Sequence, residues 1–165
     1  METLACHLMR VLFVCMGNIC RSPTAEAAFR EALEQEGLTA AVDVDSAGLG
    51  RWHLGDPPDP RMRAAGERDG LAIDGRARLV RPDDFETFDV VLAMDRSNHE
   101  QLLALAPDAE AREKVRLFRD FDAEANAPDT PDPYYEGNFD EVVAIARRGA
   151  AGLLEHLRPQ LERTR

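Results

Sequence analysis

Residues 11–24 read VLFVCMGNICRSPT, and this stretch decides how the chain folds and where it binds a ligand. Its first four residues are apolar and predict a buried strand over residues 11–14. The Ser-Pro pair at residues 22–23 is a typical start of an α-helix, so a short loop joins a strand to a helix here. Gly17 permits a close approach of the backbone, and Asn18 tolerates a left-handed conformation.

The loop begins at Cys15 and ends at Arg21, and this spacing predicts an anion site with a nucleophile. Backbone N–H groups in a tight loop, together with a helix N-terminus, bind anions. The planar guanidinium of Arg21 can bind two oxygens of a phosphate. The same positive field favours the thiolate form of Cys15, which is then a nucleophile for a bound phosphoryl group. Cysteine and arginine occur at this spacing by chance in many chains, but the glycine and the helix start favour a phosphatase.

Apolar runs alternate with amphipathic stretches along the whole chain, which predicts an α/β fold. We expect a single domain with a central four-stranded parallel sheet, helices on both faces and a phosphate-binding loop after the first strand. Residues 1–10 are interpreted as an N-terminal extension and residues 11–162 as the domain. The predicted strands are residues 11–14, 42–46, 88–93 and 115–118, and the predicted helices are residues 22–36, 59–70, 97–105 and 139–161.

Three candidate site residues, Cys15, Ser46 and Asp95, lie at or just beyond the ends of predicted strands. The carboxyl ends of parallel strands meet at one edge of the sheet, where ligands bind in open α/β folds. The proline-rich residues 120–138 are interpreted as a functional loop rather than a disordered linker. The order of elements therefore predicts a site at this edge.

The composition of the 165 residues argues against several classes of partner. A net charge of −11 disfavours general binding to nucleic acid or to an anionic membrane surface. No apolar stretch is long enough to span a membrane. Three cysteines (Cys6, Cys15 and Cys20) are too few and wrongly spaced for a structural zinc site, and they fit a reducing compartment. We expect a cytoplasmic protein that needs no metal; nothing in the sequence indicates an oligomeric state.

Four segments besides the loop resemble the low-molecular-weight protein tyrosine phosphatase family. They occur in the family's order, so that the resemblance covers about residues 11–157. The resemblance implies hydrolysis of phosphotyrosine through a phosphocysteine intermediate, with no cofactor and with a tyrosine-phosphorylated protein as substrate. The four segments are SAG at residues 46–48, WHLGDPPDPR at 52–61, AMDRSN at 93–98 and DPYY at 132–135.

The resemblance assigns the catalytic roles to three residues. Cys15 is the nucleophile, Arg21 binds the phosphate oxygens, and Asp132 is the general acid and base. Taken from the residues alone, Asp129 and Asp132 are both candidates, because both lie in the proline-rich loop. The family pattern selects Asp132, which directly precedes Pro-Tyr-Tyr. The expected phosphate-binding loop consists of Met16, Gly17, Asn18, Ile19, Cys20 and Ser22.

Supporting roles follow from the same resemblance. Asn18 is expected to hold the loop in shape, with Ser46 and Asp95 as partners, although a turn serine and a helix cap are the plain alternatives. Ser22 is expected to donate a hydrogen bond to the Cys15 sulfur, or to cap the helix. The family usually has histidine two positions before an Ala-Arg pair. This chain has Gly75 there, which leaves the orientation of Asn18 open.

Aromatic residues are expected to line the cleft. Trp52, Tyr134 and Tyr135 resemble the family's aromatic walls, which suit a flat phosphotyrosine ring; core packing is the alternative. In family members with cysteines at the positions of Cys15 and Cys20, a disulfide can protect the nucleophile from irreversible oxidation. The alternative is that Cys20 only packs beneath the loop.

Two other functions remain open. Arginine phosphatases of the same fold commonly have threonine at the position of Ile19, so the isoleucine favours phosphotyrosine. A catalytically silent module that binds phosphate or phosphotyrosine is the second alternative.

Overall fold

The computed structural model describes residues 8–163. Its four strands are β1 (Met9–Cys15), β2 (Val42–Gly48), β3 (Val90–Ala93) and β4 (Val115–Leu117). All neighbouring strands are parallel, and their order across the sheet is β2-β1-β3-β4. The predicted α/β fold with a four-stranded parallel sheet is confirmed.

Seven helices surround the sheet in the part of the chain that is described, and two short 3-10 turns, Thr39–Ala41 and Phe118–Phe121, join elements. The helices are α1 (Arg21–Gln35), α2 (Pro60–Arg68), α3 (Asp84–Thr87), α4 (Arg96–Leu105), α5 (Ala109–Glu113), α6 (Pro133–Glu136) and α7 (Phe139–Arg163).

The central strand β1 has helices on both sides because its side chains alternate between the two faces. Val11 and Phe13 belong to a core that includes buried residues of α1, α2 and α7. Leu12 and Val14 belong to a second core with buried residues of α3, α4 and α5. Both faces of β1 are therefore buried, as the unbroken apolar run of residues 11–14 predicts.

Helix boundaries follow the capping signals of the sequence. The Asp59 carboxylate accepts a hydrogen bond from the Arg61 N–H at 2.8 Å and caps α2. Gly37 and Gly70 follow α1 and α2 with φ of +67° and +74°, a conformation that glycine adopts without steric cost. The proline-rich loop contains the short helix α6, which the sequence interpretation did not include.

Several strand boundaries differ from the prediction. Strand β1 begins at Met9, so Met9 and Arg10 belong to the sheet rather than to the predicted N-terminal extension, residues 1–10. Residues 1–7 of that extension, with Cys6, lie outside the described residues. Strand β3 begins later than predicted because Phe88 is the C-cap of α3, where its N–H donates to the carbonyl of Asp84, the first residue of that helix.

The carboxyl ends of the strands carry the loops of interest. Cys15 ends β1, the backbone of Gly48 ends β2, and Asp95 follows β3. No helix among residues 8–163 has the length and apolar character needed to cross a membrane.

Helix α7 packs closely against the turn Phe118–Phe121 through a glycine. A Cβ atom at Gly152 would lie 1.8 Å from the Phe121 carbonyl oxygen, which is backbone and cannot move aside cheaply. In an open helix, replacing glycine by alanine gains about 1 kcal/mol of helix propensity. Overpacking costs about 1–3 kcal/mol, and a contact of 1.8 Å with a backbone atom lies at the upper end of this range, about 2–3 kcal/mol, so it exceeds the gain in helix propensity.

We predict that Gly152→Ala lowers the free energy of unfolding, measured by urea titration, by about 1–2 kcal/mol net. The neighbouring exposed position supplies the control, and Ala151→Ser should change the stability by less than about 0.5 kcal/mol. A Gly152→Ala variant as stable as the wild type would contradict the close contact with Phe121.

Candidate active site

The residues between β1 and α1 form a tight loop at the carboxyl edge of the sheet. Asn18 lies within it at a φ of +56°, in the left-handed region that asparagine tolerates better than most residues. The Asn18 N–H donates a hydrogen bond to Cys15 Sγ at 3.3 Å, which turns the loop back over the cysteine. Gly48 on β2 permits this course, because a Cβ there would lie 2.9 Å from the Met16 carbonyl oxygen.

Neighbouring segments hold two carbonyl groups of the loop. The Met16 carbonyl accepts a hydrogen bond from the Gly50 N–H at 2.8 Å. The Ile19 carbonyl accepts one from the Asp59 N–H at 2.8 Å, at the start of α2. Backbone N–H groups from outside the loop, including that of Leu49 on the Met16 carbonyl at 3.0 Å, therefore fix its shape around Cys15.

The Cys15 sulfur is buried and has polar neighbours. Its Sγ lies 3.0 Å from Ser22 Oγ, which in turn accepts a hydrogen bond from Asn18 Nδ2 at 2.8 Å. The Ser22 oxygen already accepts from Asn18, so its single hydrogen is free to donate to the sulfur. The structure thus brings Ser22 to Cys15 as predicted. Cys20 occupies the N-cap position of α1, so the alternative role of Ser22 as the cap is wrong.

Asn18 is oriented by three groups, which answers the question raised by Gly75. Its Oδ1 accepts a hydrogen bond from the Arg78 backbone N–H at 3.0 Å, and its Nδ2 donates to Ser46 Oγ at 3.0 Å as well as to Ser22. Because Oδ1 faces an N–H donor, the amide can be placed in only one of its two orientations. A backbone N–H of the segment after Gly75 therefore orients Asn18.

Ser46 extends this hydrogen-bond network to helix α1. Its hydroxyl lies 2.6 Å from Glu26 Oε1, and since it accepts from Asn18 it donates to the carboxylate. Glu26 also accepts hydrogen bonds from Arg30, one helical turn further along. Ser46 is therefore a partner of Asn18, as predicted, and Glu26 is a partner that the sequence interpretation missed.

Arg21 is a buried cation that is bound by the loop after β3 and by the proline-rich loop. One guanidinium nitrogen, Nη1, donates to Asp95 Oδ2 at 2.6 Å and to the Thr130 carbonyl at 3.0 Å. Burial works against its charge, but Cys15 and Asp95 outweigh burial and raise the pKa of Arg21 above its ordinary value. Asp95 also caps α4 by accepting from the Asn98 N–H, which is its alternative role, and it contacts the loop through Arg21 rather than as the expected partner of Asn18.

Asp132 lies at the cleft and Asp129 does not. The Asp132 carboxylate lies 3.6 Å from Arg21 Nη2, and its other oxygen accepts from the Tyr134 N–H at 3.1 Å. It lines the same cleft as Cys15 and is about one-third exposed.

The Asp129 carboxylate instead accepts hydrogen bonds from the backbone and side chain of Arg96, at 2.9 and 3.3 Å. Partial burial opposes its ionisation, but the bonds from Arg96 prevail and hold the pKa of Asp129 below its usual range. A carboxylate in this state is a poor proton donor, and it does not line the cleft that contains Cys15. The geometry therefore favours Asp132 as the general acid.

The cleft above Cys15 has a volume of about 420 Å³ and aromatic walls. Trp52 is 79% exposed and Tyr135 83% exposed, so core packing does not explain either residue. Tyr134 contacts Tyr135 edge-to-face and lies 5.9 Å from the His53 ring, measured between ring centres. All three predicted aromatic residues line the cleft, and His53, to which the sequence gave no role, lines it with them.

Cys20 lies in the loop as a buried thiol. Both it and Cys15 are free cysteines in this structure. Burial, followed by the charge of Asp59, raises the pKa of Cys20 above its ordinary value, which keeps this sulfur protonated. The structure thus supports packing beneath the loop, and the protective disulfide remains a prediction.

Two residues of the network gave weak signals in the sequence. Glu26 lies four positions after Ser22, so both fall on one face of α1, but charged helix residues are usually solvated. Arg78 contributes a backbone N–H, which any residue type except proline carries. Within residues 8–163, no group of three or more His, Cys, Asp or Glu side chains is arranged to hold a metal ion.

Comparison with known proteins gives a consistent result. A family model described as low molecular weight phosphotyrosine protein phosphatase matches residues 10–163. The chain is 43% identical to a low molecular weight protein-tyrosine-phosphatase of Streptomyces coelicolor, over 93% of this chain and 96% of that protein. It is 40% identical to YfkJ of Bacillus subtilis, a low molecular weight protein-tyrosine-phosphatase, over 93% and 98%.

Solved structures agree with these relatives. The crystal structure of YfkJ from Bacillus subtilis superposes with a TM-score of 0.87 at 39% identity, covering 93% of this chain and 96% of that one. A protein tyrosine phosphatase from Entamoeba histolytica, crystallised with Hepes in its active site, gives a TM-score of 0.88 at 37% identity, covering 92% and 98%.

The ion pair between Arg21 and Asp95 yields a stability prediction. We expect Asp95→Asn to lower the free energy of unfolding by about 1.5–3 kcal/mol, because a charge-assisted hydrogen bond is lost and the Arg21 cation stays buried. The amide still caps α4, so capping is not the cause. Urea titration measures the change.

Asp108 supplies the control, since it caps α5 through the Ala111 N–H without a buried arginine. Asp108→Asn should cost less than about 0.5 kcal/mol. Equal losses at Asp95 and Asp108 would contradict a special role for the Arg21 pair.

Proposed function

The chain belongs to the low molecular weight phosphotyrosine protein phosphatase family, and we propose that it hydrolyses phosphotyrosine in proteins through a phosphocysteine intermediate. One observation carries the proposal. The Cys15 thiol, the Arg21 guanidinium and the Asp132 carboxylate line a single cleft with aromatic walls. These groups supply the nucleophile, the phosphate ligand and the proton donor that the reaction needs.

In the first step, the phosphate dianion binds between Arg21 and the N–H groups of the loop at the start of α1. The Cys15 thiolate attacks phosphorus, an S–P bond forms, and the bond between phosphorus and the tyrosyl oxygen breaks. Asp132 donates its proton to the departing oxygen, which leaves as a neutral phenol. Hydrogen bonds from Ser22 and from the Asn18 N–H stabilise the sulfur as an anion before the attack.

In the second step, water attacks the phosphocysteine. Asp132, now ionised, takes a proton from this water, the new P–O bond forms, and the S–P bond breaks. Inorganic phosphate leaves, and Cys15 returns to the thiolate with its two hydrogen bonds. Arg21 carries a fixed positive charge through both steps, because Asp95 and the Thr130 carbonyl hold it in place.

The cleft supports an aromatic phosphate as the substrate. Trp52, Tyr134 and Tyr135 line the cleft together with Cys15 and Arg21. In this proposal the phenyl ring of the substrate packs against these aromatic residues while its phosphate binds at the loop. Ile19 lines the same cleft and offers no hydroxyl to a phosphoramidate nitrogen. These features favour phosphotyrosine over phosphoarginine.

We propose in addition that the reaction needs no metal ion or cofactor and takes place in the cytoplasm. Arg21 and the backbone N–H groups already compensate the phosphate charge, which a metal ion would otherwise do. A nucleophilic cysteine requires a free thiol, and a reducing compartment such as the cytoplasm maintains one. The net charge of −11 makes nucleic acid or an anionic membrane an unsuitable partner. In this proposal the catalytic domain is the predicted one, residues 11–162, extended to Met9 at the start of β1 and to Arg163 at the end of α7.

The first prediction from this proposal concerns the nucleophile. Wild-type protein should release phosphate from a phosphotyrosine peptide in the presence of EDTA, and Cys15→Ser should lower the rate by a factor on the order of 10³ or more. A phosphoarginine peptide run in parallel should react more slowly. Preference for phosphoarginine would assign the chain to an arginine phosphatase. Bound phosphate with no release from either peptide would indicate a silent binding module.

The second prediction separates the two aspartates. Asp132→Asn should lower kcat/KM for phenyl phosphate by about 10²- to 10⁴-fold, because phenolate is a poor leaving group without a proton. The loss should be much smaller for 2,4-dinitrophenyl phosphate, whose leaving group needs no proton. Asp129→Asn, whose side chain contacts Arg96, serves as the control and should lose less than about 10-fold on either substrate. The reverse order would identify Asp129 as the acid.

A further inference from the structure

The first turn of α2 contains an ion pair, between Asp59 and Arg61, that takes no part in the two proposed reaction steps. The Asp59 carboxylate accepts from Arg61 Nε at 3.1 Å and from Arg61 Nη2 at 2.8 Å, so the guanidinium is bound at two points. The Asp59 side chain is only 7% exposed, and its bonds with Arg61 hold the pKa of Asp59 below the ordinary value. The position of the Arg61 guanidinium is therefore fixed by a buried partner.

The same guanidinium contacts two aromatic rings beyond α2. Its central carbon lies 5.4 Å from the centre of the Tyr134 ring and 4.8 Å from the centre of the Phe139 ring. Both distances are within the range of cation–π attraction. Tyr134 belongs to α6 and Phe139 begins α7, so Arg61 contacts the chain on both sides of the turn between these helices.

Asp59 connects this arrangement to the phosphate-binding loop. Its N–H donates to the Ile19 carbonyl at 2.8 Å, within the loop that surrounds Cys15. Tyr134 in turn donates its N–H to Asp132 Oδ1. A continuous path of contacts thus runs from the nucleophile's loop through Asp59, Arg61 and Tyr134 to the proposed acid.

We infer that Arg61 is a positioning residue, which holds the segment that carries Asp132 at the correct distance from Cys15. This inference rests on the proposed function, in which Asp132 is the general acid. Upstream of Asp132, the segment is held by the Thr130 N–H on the Met94 carbonyl and by the Thr130 carbonyl on Arg21. Arg61 holds it downstream, through Tyr134. Removing the guanidinium releases one end of the segment and lowers the fraction of molecules with the acid in reach.

The test measures how kcat/KM depends on the leaving group across a series of aryl phosphates, from 2,4-dinitrophenyl to phenyl. Arg61→Met keeps an apolar side chain over the rings but removes the cation and its bonds to Asp59. A cation–ring contact changes an equilibrium by about 2- to 5-fold, so loss of two such contacts gives about 4- to 25-fold. We expect a loss of this size for phenyl phosphate and a clearly smaller loss for 2,4-dinitrophenyl phosphate. The dependence of kcat/KM on the leaving group should therefore be steeper than in the wild type.

Control variants separate positioning from general damage. Arg63→Met alters an exposed arginine on the same helix and should leave the dependence as in the wild type. Arg61→Lys keeps a cation without the planar fork and should recover part of the loss. In a double-mutant cycle, Tyr134→Leu lowers kcat/KM on all aryl phosphates because its ring lines the cleft, but it should steepen the leaving-group dependence little beyond that of Arg61→Met if the two residues act together. Phe139→Leu removes one ring from outside the cleft and tests the same contact should Arg61→Met fail to fold.

The possible results are distinct. Equal losses on all aryl phosphates in Arg61→Met would overturn the inference, and so would a double mutant in which the two changes in leaving-group dependence add in full. Either result with a wild type that still requires Cys15 and Asp132 leaves the proposed function intact. A wild type whose hydrolysis persists in Cys15→Ser would instead reject the proposed function, together with the role of Arg61.

Discussion

The buried cation of Arg21 is the contact on which the rest of the site depends. It lies at the first residue of α1 and binds Asp95 after β3 and the Thr130 carbonyl in the proline-rich loop. Three loops that are far apart in sequence therefore meet at one guanidinium. A buried arginine without these acceptors would destabilise the fold, so the fold and the site share one requirement. Because its acceptors fix the guanidinium in the free protein, the proposed binding of a phosphate would need little reorganisation of Arg21.

A second constraint is the strained shape of the phosphate-binding loop. Asn18 adopts a left-handed conformation, and its side-chain amide is held at both ends, by the Arg78 N–H and by the hydroxyls of Ser22 and Ser46. Each hydroxyl accepts a hydrogen bond from Asn18 and donates its own hydrogen to a further group, so the direction of these hydrogen bonds is fixed. One donates to the Cys15 sulfur and the other to the Glu26 carboxylate. One hydrogen-bond network thus connects the Cys15 sulfur to the Glu26 carboxylate on α1.

The sequence predicts those features that depend on local pattern. The buried strand at residues 11–14 and the helices predicted at residues 22–36 and 59–70 appear within two residues of where they were expected. Features that arise only in three dimensions were not predictable, because their residue types are ordinary. Glu26 looks like a solvated helix residue, Arg78 acts through its backbone, and Arg61 looks like one more charge on an exposed helix. Asp132 was singled out from Asp129 by resemblance alone; the physical difference between them is the neighbouring Arg96.

The parallel topology has a consequence for how the protein acquires its site during folding. Arg21 and Thr130 are 109 positions apart, and Asp132 lies beyond both, so none of these contacts forms within a local segment. Long-range contacts of this kind form late, after the entropy of closing large loops has been overcome. A nascent chain that lacks the proline-rich loop therefore has a cysteine but no completed anion site. In the proposed function phosphate binds this site, so bound phosphate would shift the equilibrium toward the folded chain by mass action.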